Sequence, residues 1–311
     1  MTPHAPSLAA SFSTALRAAH EAAASQNYPP AALYVVATPI GNLADITLRA
    51  LHVLQLADVV ACEDTRHTQA LLRAYGIDKT TAQLLAVHQH NEVQAVQAVL
   101  ERLHQGQRVA YVSDAGTPAI SDPGTRLVAG VRQAGRPVVP LPGASSVTTL
   151  LSVAGMAAEA QQHGAFVFAG FLPTKATERS ATVHALASET RAIVLLEAPH
   201  RIEAMASALA VLGQRQLTVG RELTKQFEEI STISAADFPH WLKQDTNRTR
   251  GEFVLVLHPV AALAGAAPEP RVLKLLLAEL PLKTAVKLAA EITGESRNAL
   301  YDLALSLRAD A

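Results

Sequence analysis

The chain is 311 residues long, carries a formal net charge of −1 and is 49% hydrophobic with few aromatic residues. That length suits two ordinary domains around a large aliphatic core, and the near-zero charge excludes a global basic field for nucleic acid, so any RNA contact must be local. Cys62 is the sole cysteine, which excludes an intrachain disulfide and a cysteine-rich zinc site and fits a reducing compartment; no apolar run is long enough to cross a bilayer.

The first thirty or so residues are rich in Ala and Ser and end in Tyr28-Pro29-Pro30. Arg17, His20 and Glu21 interrupt any apolar run, which argues against a signal peptide. Residues 1–31 are therefore expected to form a flexible N-terminal tail, with a weak amphipathic helix possible over 8–24. A β/α alternation follows. Strand-like runs lie at 33–37, 58–62, 83–88, 108–113 and 137–141, and a second set lies at 166–171, 192–196, 216–221 and 252–258. Between them the apolar spacing is helical. Leu48, Leu51 and Leu54 follow Thr47, a candidate N-cap, and Val96, Val99, Leu100 and Leu103 repeat at i, i+3, i+4, i+7. The pattern predicts two α/β domains, 32–155 and 164–260, joined near 155–164. An Ala/Gly/Pro-rich linker at 261–270 then precedes a helical segment, 271–311.

The chemistry-bearing residues sit in turns that follow the strands. The most informative turn runs Ser113-Asp-Ala-Gly-Thr-Pro-Ala-Ile-Ser-Asp-Pro-Gly124, between an apolar strand and a helical run. Open α/β sheets bind ligands at the carboxyl ends of their strands, and Gly116 and Gly124 allow close backbone approach while Pro118 and Pro123 stiffen the loop. Thr38-Pro39-Ile40-Gly41-Asn42-Leu43, Glu63-Asp64-Thr65-Arg66, Pro142-Gly143-Ala144-Ser145-Ser146, Glu197-Ala198-Pro199-His200-Arg201 and Arg221-Glu222-Leu223-Thr224-Lys225 occupy equivalent places. Any one of them reads as an ordinary turn or helix cap; together they are expected to converge on one crevice. His88 and His90 share a strand face, but no metal site is expected without a nearby acid or cysteine pattern. The dinucleotide fingerprint, the P-loop and the Gly-x-Ser-x-Gly nucleophile elbow are all missing.

These turns together, with Gly251-Glu252-Phe253-Val254, resemble the tetrapyrrole methylase superfamily, and within it the ribosomal RNA small subunit methyltransferase I family. The resemblance runs from Leu33 to His258, with a further match in the C-terminal segment. It implies an α/β fold, a two-domain tetrapyrrole-methylase-like (class III methyltransferase) architecture with a C-terminal helical hairpin. It also implies S-adenosyl-L-methionine as cofactor and 2′-O-methylation of a decoding-region cytidine of 16S rRNA in the small ribosomal subunit, by a cytoplasmic homodimer. Carried over residue by residue, the cofactor cleft is bordered by Pro39 and Gly41. It is contacted by Asp114, Ala115, Gly116, Thr117, Pro118 and Ile120, with Ser145 and Ser146 beside them. Phe168, Ala169 and Gly170 line its adenine side, with Leu223 and Thr224 close by.

Methyl transfer from a sulfonium to a ribose hydroxyl needs positioning above all, helped by a base for a weakly acidic proton. Glu63, Asp64, Glu197 and Glu222 are candidate bases or orienters, and Arg66, Arg201 and Lys225 are candidate cations for a phosphate or incipient alkoxide. The catalytic set expected is Glu63, Asp64, Arg66, Glu197, Arg201 and Lys225, with Glu63, Asp64, Arg66 and Lys225 foremost. No metal is called for.

In the C-terminal segment, Ala285, Leu288, Ala289 and Ile292 form one stripe and Leu300, Leu303, Ala304 and Leu307 another, with Ser296 able to cap the second helix. This is a helix-turn-helix pattern. Lys283, Lys287 and Arg297 are its candidate RNA contacts, although its charges nearly balance; a plain docked hairpin is the other reading. Two further functions compete with rRNA methylation: a small-molecule (tetrapyrrole) methyltransferase of the same superfamily, and a non-catalytic RNA-binding protein that kept the fold.

Overall fold

A computed structural model describes residues 8–88, 91–121, 124–156, 164–260, 270–294 and 296–309. The chain divides into two compact units, Met1–Pro259 and Val260–Ala311. In the first unit the elements are α1 Leu8–Ala23, β1 Leu33–Val36, α2 Leu48–Leu56, β2 Val59–Cys62, α3 Thr65–Ala74, β3 Leu84–Ala86, α4 Glu92–His104, β4 Val109–Val112, α5 Gly124–Gln133, β5 Val138–Leu141 and α6 Ser146–Val153. They continue with β6 Phe166–Phe171, α7 Ala176–Ala187, β7 Ala192–Glu197, α8 Ile202–Leu209, β8 Gln216–Arg221, β9 Glu229–Ser234, α9 Phe238–Lys243 and β10 Phe253–Leu257.

The first sheet has the order β3-β2-β4-β1-β5 and every pair is parallel. Its central strands β2 and β4 are buried on both faces, which is why they read as continuous apolar runs rather than alternations. One face packs against α1, α2 and α3 through residues such as Ala19, Leu51, Leu54 and Leu72; the other packs against α4 and α5 through Val99, Leu103, Leu127 and Val131. The helices after adjacent strands β1 and β4 thus lie on opposite faces, and the loops leaving those strands diverge. That divergence makes the crevice in which such sheets bind ligands. Thr47 caps α2 as expected, its side chain accepting from the Ala50 N–H.

The second sheet, β6-β7-β10-β8-β9, is mixed: β6 runs parallel to β7, whereas β10 is antiparallel to both its neighbours and β8 pairs antiparallel with β9. Helices α8 and α9 cover one face through Met205, Leu209, Phe238 and Trp241. The other face receives α6, whose Val147 and Leu150 pack with Val194, Val254, Val256 and with Ile40 from the first sheet's leading loop. Gly220 permits this approach, since a Cβ there would lie 2.8 Å from Leu150 Cδ1. Both sheets therefore belong to one compact unit, joined through α6, where the sequence suggested two domains. The join at 157–163 lies outside the described residues.

Two expectations are corrected. Residues 8–31 are not a free tail. Helix α1 buries Ala19 and Ala23 against the first sheet's helices, Phe12 meets Tyr75 edge-on at 4.9 Å, and the Tyr28 carbonyl accepts from Arg108 Nε at 3.1 Å. The contact face is built largely of alanines, which give little amphipathic signal. Strand β9 was not anticipated, because its two apolar residues, Ile230 and Ile233, fall on opposite faces and give no alternation. Residues 261–269 of the expected linker and His90 of the His pair lie outside the described residues; among those described, no cluster of metal-ligating side chains occurs.

The second unit holds three helices, α10 Pro270–Glu279, α11 Leu282–Thr293 and α12 Arg297–Ala309. Leu273, Val286, Ala289, Leu300 and Ala304 form its core. The expected hairpin is α11 and α12, with Gly294 closing α11 in the left-handed conformation (φ +74°) and Ser296 preceding α12. Helix α10 is an addition to it. No helix of the described chain is long and apolar enough to cross a membrane.

Candidate active site

The turns at the carboxyl ends of β1 and β4 are tied together directly. Thr38 and Gly116 exchange two backbone hydrogen bonds, 2.9 and 3.0 Å long, as an isolated antiparallel bridge. Gly116 adopts φ +82°, which favours glycine. Hydroxyls hold the rest of the loop. Thr38 Oγ1 donates to the Ser113 carbonyl, Ser113 Oγ to the Ala115 and Gly116 carbonyls, and Thr117 Oγ1 to the Ala144 carbonyl at the head of α6. The Ser/Thr/Gly composition that marks this segment in the sequence is thus the internal bonding of a fixed loop.

Beside it the ends of β2 and β4 are cross-linked by acids. The Asp114 carboxylate accepts from the Asp64 N–H at 3.3 Å, and Glu63 Oε1 accepts from the Asp114 N–H at 3.3 Å. Asp64 is also the N-cap of α3, accepting from the Arg66 and His67 N–H groups at 2.8 and 3.3 Å. Those backbone donors hold its carboxyl below the usual range. The Arg66 side chain is 93% exposed, with its Nε 3.9 Å from Asp64.

On the second sheet, Glu197 ends β7 and is buried. Its Oε1 accepts from the Ala198 N–H and pairs with Arg201 Nε at 3.0 Å, while the Arg201 guanidinium also donates to the Leu172 carbonyl. The turn after β8 is strained, with Glu222 and Thr224 at φ +51° and +65°. Lys225 Nζ bridges Glu222 Oε1 at 2.9 Å and Glu252 Oε2 at 3.1 Å. Burial pushes the Glu222 carboxyl up, but the Lys225 ammonium, the Glu252 N–H and Arg221 together outweigh it, so it titrates below its ordinary value. Burial likewise disfavours the Lys225 charge, and its two carboxylate partners overcome this and raise its pKa. Lys225 is therefore a permanent cation near neutrality. Gly41 packs against this turn so closely that a Cβ there would collide with Lys225 Cγ; the Asn42 N–H donates to Thr224 Oγ1.

Between these groups lie two contiguous cavities of about 410 and 430 Å³, which share Ala115, Ser146, Phe171, Leu196 and Glu252. The first is completed by residues including Ile40, Glu197, Leu223 and Val254, the second by residues including Glu63, Asp114, Gly116, Thr117 and Phe168. Of the expected cofactor residues, Asp114, Ala115, Gly116, Thr117, Ile120, Ser145, Ser146, Phe168 and Leu223 line this space. Pro39, Gly41, Pro118, Ala169, Gly170 and Thr224 do not line it. Of the expected catalytic residues, Glu63 and Glu197 line it, whereas Asp64, Arg66, Arg201 and Lys225 do not. Sequence reasoning passed over Glu252, Phe171 and Leu196. Glu252 lay in a quoted motif, but only the antiparallel placing of β10 between β7 and β8 reveals that it reaches the cleft.

The lining carries Glu63, Asp114, Glu197 and Glu252 and, among the described residues, neither lysine nor arginine. Short side chains and a fixed polar backbone face an acidic space. This fits a folded cofactor that bears a sulfonium charge and repels a phosphate-rich one.

Residues 32–239 match the tetrapyrrole (corrin/porphyrin) methylase family. Among solved structures, a cobalt precorrin-4 methyltransferase of cobalamin biosynthesis superposes with a TM-score of 0.52 at 20% identity, covering 73% of this chain and 94% of its own. The methyltransferase CobJ superposes with a TM-score of 0.54 at 17% identity, covering 74% and 94%. Fold and cleft thus define a methyltransferase of the tetrapyrrole-methylase class, with S-adenosyl-L-methionine as its methyl donor. Residues 264–308 further match the C-terminal helix-turn-helix domain named for RsmI. The ribosomal RNA small subunit methyltransferase I of Escherichia coli O157:H7 is 47% identical over 277 residues, covering 88% of this chain and 94% of the relative. That of Neisseria meningitidis serogroup B is 47% identical over 293 residues, covering 92% and 97%. The chain belongs to the ribosomal RNA small subunit methyltransferase I family.

Proposed function

We propose that the protein transfers a methyl group from S-adenosyl-L-methionine to the ribose 2′-hydroxyl of a decoding-region cytidine in 16S rRNA. The observation that carries this reading is the acidic double cavity at the switch point of the first sheet, in a chain whose relatives are named for the small-subunit rRNA. In the reaction the sulfonium carbon–sulfur bond breaks, the ribose oxygen takes the methyl group, and the hydroxyl proton leaves.

The bound cofactor supplies a methyl group on a good leaving group; the chain supplies geometry. The Asp114–Thr117 backbone and the Ser145 and Ser146 hydroxyls orient the donor, and Phe168 and Leu223 cover its apolar parts. Glu63, anchored by the Asp114 N–H, receives the hydroxyl proton. Lys225, held between Glu222 and Glu252, and Arg66, extended into solvent from the first turn of α3, are cations for the phosphates that flank the target ribose. The Glu197–Arg201 pair keeps the turn after β7 in place. The substrate is the assembled small subunit in the cytoplasm. The enzyme works as a homodimer, for which the exposed Phe166 and Phe171 of edge strand β6 are candidate contacts.

The test is transfer of labelled methyl from S-adenosyl-L-methionine to unmodified small subunits and to naked 16S rRNA. The reading expects label in RNA with subunits preferred. Tight cofactor binding with no label in either RNA would overturn it.

A further inference from the structure

Beyond the Glu222–Lys225–Glu252 chain lies a third cavity of about 520 Å³, bounded by Arg221, Glu222, Phe227, Asp245, Asn247, Arg250 and Gly251. Glu222 is the wall that it shares with the machinery of the reaction cleft. One oxygen of Glu222 meets Lys225 and the Glu252 N–H, and Glu252 itself lines the double cavity. Gly251 (φ +87°) permits the closeness, because a Cβ there would lie 2.5 Å from the Glu222 carboxylate.

Most charges around this cavity are committed. Arg221 is buried and pairs with Glu229 at 3.3 Å, and Glu222 holds Lys225. Asp245 Oδ1 accepts from the Asn247 N–H at the head of a short 3-10 turn. Two groups have no such commitment. The Arg250 guanidinium is exposed and has no ion pair among the described residues. The Phe227 ring is 68% exposed, more than the exposed Phe166 and Phe171, and among the described residues it stacks on no other ring. Its backbone is nevertheless fixed, since the Phe227 carbonyl accepts from Arg221 at 3.1 Å. A positioned aromatic face and a free guanidinium across a cavity of small-molecule size form the combination that holds one nucleotide of a single strand: stacking for the base, charge for the phosphate.

We propose that this cavity seats a nucleotide adjacent to the methylated one, with its base on Phe227 and its phosphate on Arg250. Asn247 and the second oxygen of Asp245 then face the base edge and discriminate among bases. The site would splay the RNA across the Glu222–Lys225–Glu252 wall and so fix the register of the target ribose in the cleft. This inference rests on the rRNA reading above and adds to it a subsite outside the methyl-transfer cavity.

The test is steady-state methylation of small subunits by the full chain and by F227A, F227Y, R250A and R250K, with cofactor affinity measured alongside. F227A is expected to raise KM for the subunit about tenfold, F227Y to restore it, and cofactor affinity to stay unchanged in all four. R250A is expected to flatten the log–log salt dependence of subunit binding by about 0.7, the share of one phosphate on a single strand. R250K should keep the slope. Wild-type KM and salt slope in both alanine variants would overturn the subsite and leave the rRNA reading standing. Failure of the wild-type enzyme itself to methylate rRNA would overturn both.

Discussion

Gly116 and Thr38 pair backbone to backbone across the first sheet's diverging loops, and the φ of +82° at Gly116 places its missing side chain toward Ile40 Cγ2, 3.3 Å from a built Cβ. Both constraints act at one atom. Gly116→Val must adopt a left-handed conformation, at a cost of about 1–2 kcal/mol, and must push Ile40 into the cavity that it lines. The expected result is a folded protein with a slightly lowered melting temperature and S-adenosyl-L-methionine affinity reduced at least about tenfold. Calorimetric titration of the variant checks this.

Lys225 and its two carboxylates give a second outcome. Lys225→Met leaves Glu222 and Glu252 facing one another, so methyl transfer to subunits should fall about tenfold to a hundredfold in kcat with cofactor affinity retained. The pH sign follows from the two shifts. The pKa of Glu222 is lowered from 4.5 and that of Lys225 raised from 10.5. The carboxylate's contribution is complete above the unfolded value and disappears as pH falls through the folded one. The ammonium's contribution is complete below 10.5 and disappears as pH rises through its folded pKa. The difference in melting temperature between wild type and Lys225→Met should therefore be flat from about pH 5 to 9 and shrink below about pH 4. A difference that grows on acidification would show that another group controls the turn.

Cys62 ends β2 directly before Glu63 and is buried; burial pushes its thiol up to about 11. The native protein should resist thiol alkylation at pH 8, and urea should release one reactive thiol per chain. Rapid labelling of the folded protein would mean that the β2 terminus opens readily, which a rigid active-site edge does not allow.

Glu197 and Arg201 form a partly buried pair, their side chains 1% and 20% exposed. Removing either partner strands the other, at about 3–5 kcal/mol. Glu197→Ala and Arg201→Ala should each lower the melting temperature substantially, and the double variant should cost less than the sum of the two. Chemical denaturation measures this cycle. An unchanged melting temperature with lost activity would instead assign the pair to the chemistry.

Several parts of this architecture are legible in the sequence for a physical reason. Strands β2, β4 and β10, buried throughout, appear as unbroken apolar runs, and loops that staple themselves with hydroxyls appear as Ser/Thr/Gly/Pro clusters, so these strands and the cleft's main loop could be read. Helix α1 was undervalued because Ala19 and Ala23 bury little surface. Strand β9 was missed because its two isoleucines face opposite ways, and α10 because it begins inside the Pro/Ala-rich stretch. Side-chain partners were beyond reach. Nothing in Glu63-Asp64-Thr65-Arg66 distinguishes a carboxylate that caps a helix from one that lines a cavity, and the pairing of Lys225 with Glu252 spans 27 residues and depends on an antiparallel register.

The account's central claim is that the methyl group goes to a ribose oxygen of a small-subunit RNA nucleotide. The direct measurement is mass spectrometry of nucleosides from small subunits that were unmodified, then incubated with the enzyme and isotopically labelled S-adenosyl-L-methionine, with the labelled position mapped by its resistance to alkaline cleavage. The account predicts labelled 2′-O-methylcytidine at a single decoding-region position, lost in Gly116→Val. Label on a base atom, or at positions outside that region, would contradict it.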